Sequence, residues 1–81
     1  MESKDTYEFQ KARIARIAEE LAPGKTVEFD TASTFLKFRI FDPALGITLT
    51  RASGEWFPSE LADKPDDWLR AFIKNLGNGK I

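Results

Sequence analysis

The eight residues Thr34 to Phe41, TFLKFRIF, alternate in a way that defines a strand with two unlike faces. Leu36, Phe38 and Ile40 fall on one side, and Phe35, Lys37, Arg39 and Phe41 on the other. The first side is purely apolar and predicts core. The second sets two aromatics around two cations. Upstream, TVEFD alternates strictly, with Val27 and Phe29 inward and Thr26, Glu28 and Asp30 outward. Downstream, ITLTR predicts a third strand, with Ile47 and Leu49 toward the core and Thr48 and Thr50 opposite. The joints are short. Thr31-Ala32-Ser33 links the first two strands, and DPALG links the next pair, with Pro43 pre-set for a type I turn and Gly46 placed for a positive φ. Such joints predict an antiparallel meander.

Helical periodicity flanks the strands. Tyr7, Ile14, Ile17, Ala18 and Leu21 form one stripe, predicting a helix from Asp5 or Thr6 to Ala22 that ends at Pro23-Gly24. Asp5 and Glu8 have the spacing of a capping box at its start. Phe9 breaks the stripe, lying on the polar side with Arg13, Arg16 and Glu20. Leu69, Phe72, Ile73 and Leu76 predict a second helix from about Pro65 to Leu76, with Gly77 as terminator. A helical turn can precede it, Ser59 capping Glu60 to Ala62. Residues 1–4 and 77–81 are expected to fray.

The expected fold is therefore a single α+β domain over residues 1–81: a two-layer α-β-β-β-α arrangement with both helices packed on one face of a three-stranded antiparallel meander. Strands about 4.8 Å apart and helices about 10 Å wide let two helices roof one face and leave the other open.

Composition narrows the chemistry. The chain of 81 residues has no cysteine and no histidine, which removes disulfides, thiolate chemistry, the commonest general base and the commonest transition-metal ligand. Hydrophobic residues at 42% and aromatics at 12% suit a globular chain rather than a disordered one. Twelve basic against thirteen acidic residues leave a net charge of −1, so bulk charge drives it onto neither nucleic acid nor membrane. No apolar run approaches membrane-spanning length, and MESKDTYEFQ lacks a signal-peptide layout, so a cytoplasmic protein is expected. Asp63, Asp66 and Asp67 cluster, but without the glycine and distal glutamate of a calcium loop; acidic residues there suit a helix N-terminus. Glu19 and Glu20 are adjacent on a helix and point about 100° apart. No phosphate-binding glycine loop is present. The expectation is no enzyme, no cofactor and no metal.

What remains is recognition. The element order is similar in topology to double-stranded-RNA-binding domains, a family that places a lysine-rich cluster at the start of its last helix. Here that stretch reads Asp63-Lys64-Pro65-Asp66-Asp67, whose carboxylates repel phosphate, so the family is not assigned. The open sheet face is the leading candidate surface. Lys37, Arg39 and Arg51 against Asp42 give residues 31–54 a balance of +2. Lys37 and Arg39 can pair across the sheet with Asp30 and Glu28, or bind phosphates while Phe35 and Phe41 stack bases. Trp56, beside Phe57, can seal the core or anchor a partner. Phe9 joins the candidates if it meets either patch. The expected surface thus comprises Phe35, Lys37, Arg39, Phe41, Trp56 and Phe9. The expected role is a protein-interaction module that pairs with itself as a homodimer, through the open face or an edge strand. The alternative is RNA or single-stranded nucleic-acid binding.

Overall fold

The computed structural model describes residues 4–30, 35–79 and 81. Helix α1 spans Tyr7–Leu21, followed by strands β1 (Thr26–Asp30), β2 (Lys37–Asp42) and β3 (Ile47–Thr48), then helices α2 (Pro58–Ala62) and α3 (Asp66–Gly77). The sheet order is β1-β2-β3, both pairings antiparallel, which is the expected meander. The turn expected at Thr31-Ala32-Ser33 lies outside the described residues.

One apolar cluster explains the layering. Leu36, Phe38 and Ile40 are buried together with Ile14 and Ile17 of α1 and with Leu69, Ile73 and Leu76 of α3. Both long helices therefore cover the same face of the sheet, and they touch each other. The Phe72 ring meets Phe38 edge-on at 6.4 Å. Complete burial of each such side chain contributes roughly 1.5–3 kcal/mol, so this cluster dominates the stability.

The helix ends depart from the expected signals in instructive ways. Thr6, not an Asp5–Glu8 box, caps α1: its hydroxyl accepts the Phe9 N–H at 3.1 Å. Glu8 instead pairs with Lys11. At α2 the Glu60 carboxylate accepts the Phe57 N–H at 3.0 Å, and Ser59 lies inside the helix rather than at its cap. Asn78, at φ 48°, takes the left-handed position after α3. Gly77, expected as the terminator, is the last helical residue, and a side chain there is disfavoured because a Cβ would come within 2.6 Å of the Ile81 Cγ1. Ile81 packs back against the core, and at the other terminus the Lys4 carbonyl accepts the buried Gln10 amide at 2.7 Å.

The third strand is the main correction. Expected over ITLTR, it is regular only at Ile47–Thr48. Leu49 still donates to the Ile40 carbonyl at 2.8 Å. The Ile40 N–H, however, goes to the Thr50 hydroxyl at 2.9 Å, and the Phe38 N–H goes to the Ser53 hydroxyl at 3.0 Å. Ser53 returns its own N–H to the Phe38 carbonyl, and Leu36 exchanges both bonds with Trp56. Partners of Ile40, Phe38 and Leu36 on this side thus stand at Leu49, Ser53 and Trp56, where a regular strand would advance two residues at a time. The surplus residues bulge, and hydroxyls replace backbone carbonyls as acceptors. Thr50 is consequently buried, 6% exposed, instead of facing outward. Ile47, expected in the core, is 45% exposed.

Candidate interaction surfaces

The uncovered face of the sheet carries two opposed rows of charge. Register sets Glu28 against Arg39, Asp30 against Lys37, and Thr26 against Phe41. Arg39 Nε donates to Glu28 Oε1 at 3.0 Å, with both side chains about half exposed. Phe35 ends the row on one side, with the Phe57 ring tilted against it at 5.1 Å. Phe41 ends it on the other, half-buried opposite Thr48 of β3. Phe57 is 44% exposed, so the aromatic pair is open to solvent. Sequence reasoning noticed Phe57 only as the neighbour of Trp56. Its partnership with Phe35 follows from the Leu36–Trp56 bridge, which brings the residues flanking each together.

The six nominated residues fall in three places. Phe35, Lys37, Arg39 and Phe41 share the outer face. Trp56 packs edge-on against Trp68 and Phe72 of α3, both at 5.7 Å, and its indole N–H is held by the Ser53 carbonyl at 2.9 Å. It is therefore half-buried at the rim of the core, on the helix side. Phe9 lines a cleft of about 570 Å³ between α1 and the α2–α3 connection.

That connection holds a network the sequence did not reveal. Arg13, expected on the polar side of α1, is 9% exposed. Its Nε donates to Asp66 Oδ1 at 2.8 Å, and its Nη1 to Gln10 Oε1 and the Leu61 carbonyl at 3.2 and 2.8 Å. Its Nη2 donates to the Lys64 carbonyl. One guanidinium thus satisfies the carbonyls around the end of α2 while tying α1 to α3. Arg16 completes the cluster through Asp66 Oδ2 at 2.9 Å. Hydrogen bonds from Arg13 and then Arg16 outweigh partial burial and hold the Asp66 carboxyl at about 2, below its ordinary 3.8. One turn further on, Arg70 bonds Glu20 and Asp67, which lowers the Glu20 carboxyl and raises the guanidinium. The supposed polar stripe is the seam between the long helices. The available signal was Gln10 and Arg13 lying directly beside Ile14 and Ile17.

A second carboxylate is structural as well. Asp42 is buried at the end of β2, where Lys25 reaches it at 3.2 Å and the Ala44 and Leu45 N–H groups close the turn. Burial pushes its carboxyl up, but the Lys25 and backbone bonds prevail and the net direction is down. Among the described residues, no group of three or more carboxylates is placed to hold a metal ion. Nor is any helix among them long and apolar enough to cross a membrane.

The molecule is a small α+β domain whose outer sheet face is unroofed. Comparison with family models, with curated proteins and with solved structures finds no match.

Proposed function

We propose that the protein is an interaction module whose first partner is a second copy of itself, docked through the outer sheet face. The observation that carries this is the pairing of a basic row, Lys37 and Arg39, with an acidic row, Asp30 and Glu28, on adjacent strands. A two-fold axis along the strands, midway between β1 and β2, sets each basic row over the partner's acidic row. Such a face is self-complementary, as an isologous interface requires. Phe35 with Phe57 at one end, and Phe41 at the other, supply the apolar anchors. The edge route is less favourable. Full antiparallel overlap of two β1 strands puts Glu28 opposite its own copy, and like charges directly opposite are destabilising. Nucleic-acid binding would use the same cations, but the Glu28 carboxylate already occupies Arg39 and competes with phosphate.

Sedimentation equilibrium across a wide concentration range tests the proposal, the expected particle being twice 9.2 kDa. The variant Lys37→Glu with Arg39→Glu makes the face wholly acidic, and Glu28→Lys with Asp30→Lys makes it wholly basic. Each is expected to be monomeric alone and to pair when mixed. A monomeric wild type throughout, or no association on mixing, would overturn the reading. Salt-sensitive binding of a mixed-sequence oligonucleotide by a monomeric wild type would favour the nucleic-acid alternative.

A further inference from the structure

The cleft between α1 and the α2–α3 connection has no role in the proposed sheet interface, and its walls differ in character. We propose that it binds a small organic carboxylate with an apolar body, its anion held by Arg16 and Lys4 and its body lying over Phe9.

The α1 wall is a single stripe. Phe9, Ala12 and Arg16 follow each other at helical spacing, so a ring and a methyl group grade into a guanidinium along one face. Pro65 and Ala62 supply the facing apolar wall. At about 570 Å³ the cleft falls within the range of roughly 300–1,000 Å³ typical of small-molecule sites. Its lining carries the cations Lys4, Arg13 and Arg16 against one carboxylate, Asp66; Lys64 lines it as well, but its ammonium lies over the Trp68 ring. Both oxygens of that carboxylate are engaged, Oδ1 by Arg13 and Oδ2 by Arg16. The local excess is positive in a chain of net charge −1.

The cations divide by task. Arg13 is committed to Asp66, Gln10 and two carbonyls, so it provides a fixed positive floor. Arg16 is 56% exposed and reaches Asp66 through Nη2, leaving much of its guanidinium open to the cleft. A planar guanidinium matches a carboxylate in two-point fashion. A monoanion suits the site better than a dianion, because Asp66 lies on the same floor. An apolar body is required because Phe9, Ala12 and Pro65 offer it a surface that a bare inorganic anion would leave uncovered. The carboxylate can come from a free organic acid or from the C-terminus of a peptide.

The Lys64 ammonium sits over the Trp68 ring at 5.1 Å, and Trp68 does not line the cleft. Amide shifts at the lining residues therefore carry the test, and indole emission reports only a displacement of Lys64. Titration of the full chain with 3-phenylpropionate, followed by amide NMR and tryptophan fluorescence, is the test. Shifts are expected at Phe9, Ala12, Arg16 and Asp66, with 3-phenylpropan-1-ol and acetate each at least about tenfold weaker, a difference of about 1.4 kcal/mol. Lys4→Glu and Arg16→Glu are each expected to weaken binding at least about tenfold while the thermal transition stays cooperative. Lys4→Glu is the safer of the two, because only the Lys4 backbone carbonyl holds Gln10. A Gly-Gly-Phe peptide binding more tightly than the free acid, and losing that affinity as its C-terminal amide, would support the site and name the peptide source. Equal binding of acid and alcohol, shifts confined to other surfaces, no response at millimolar acid, or undiminished binding by both variants would each overturn the proposal.

Discussion

Two arginines of this protein hold carboxylates at nearly the same distance and do very different work. Arg13 meets Asp66 at 2.8 Å and Arg39 meets Glu28 at 3.0 Å. Arg13 is 9% exposed and Arg39 54%. Around Arg13 stand a fully buried glutamine, the buried Leu61 carbonyl and the partly buried Lys64 carbonyl, whereas Arg39 and Glu28 lie on an open face that solvent can serve equally well. The lesson is that an ion pair's contribution follows from what is stranded when it is lost. At the seam the loss strands several buried groups. On the sheet it strands none, so evolution is free to use those charges for recognition.

The sharpest way to break the comparison is Arg13→Met, which keeps the aliphatic stem and removes the guanidinium. It leaves the Gln10 side-chain oxygen and the Leu61 and Lys64 carbonyls without this donor, and Asp66 with Arg16 alone. The expected cost is about 2–4 kcal/mol, because the Gln10 oxygen and the Leu61 carbonyl are left as buried acceptors at about 1–3 kcal/mol each, while the partly exposed Asp66 keeps Arg16. Chemical denaturation checks it, and a loss under about 1 kcal/mol would show that water replaces the arginine.

Next in size are the hydroxyls along the irregular flank of β2. Thr50→Val keeps the shape and removes the acceptor of the Ile40 N–H, while Ser53→Ala removes that of Phe38. Each is expected to cost about 1–3 kcal/mol, the penalty for a buried unsatisfied donor. For a domain this size that is roughly 4–8 °C in Tm per kcal/mol. Hydrogen exchange should rise first at the Ile40 and Phe38 amides. Unchanged exchange there would mean that backbone carbonyls of residues 49–53 close the gap.

Smaller again is the acid response of the seam. Asp66 titrates at about 2 folded against 3.8 ordinarily. Its stabilisation is therefore complete above 3.8 and lost as pH falls from there toward 2. Its side chain is 37% exposed, so screening limits the effect to at most about 1 kcal/mol. Glu20 and Asp42 have lowered carboxyls too, so the wild type loses stability from several groups at once. The diagnostic is the difference between wild type and Asp66→Asn in Tm against pH. That difference should shrink through this window, and a constant one would remove Asp66 from the acid response.

The layering was legible because apolar periodicity is unambiguous where it is long. TFLKFRIF, TVEFD and the stripe from Leu69 to Leu76 each allow one core-facing side, and the structure turns it to the core. Leu36, Phe38, Ile40, Leu69, Ile73 and Leu76 are buried there, and Val27, Phe29 and Phe72 half-buried. The third strand was misread because the alternation in ITLTR is equally compatible with a two-residue strand followed by a bulge. Nothing local indicates that the Thr50 hydroxyl will accept a backbone N–H ten residues away. Arg13 was hidden for a related reason. A long cationic side chain reads as solvent-facing until the carbonyls that end α2 are placed beside it, and those lie 48 and 51 residues away. Phe35 and Phe41 were legible as outer-face residues by parity alone, but Phe57 required knowledge that Trp56 bridges Leu36.

The smallest stability effect sharpens the comparison most. Arg39→Gln removes the open-face ion pair, and the expected change is under about 1 kcal/mol, as for other exposed pairs. The unfolding midpoint of dilute protein should therefore stay within a few degrees of wild type. Self-association should respond more strongly, because across a docked face the same guanidinium meets the partner's Glu28 away from solvent. Truncating one partner of a buried interfacial pair costs about 2–5 kcal/mol, at least thirtyfold in the dimer constant. Measuring both quantities on one variant separates the two kinds of arginine. An intact fold with weakened pairing assigns Arg39 to recognition. An intact fold with unchanged pairing returns it to ordinary surface charge and removes the outer face from the proposed interface.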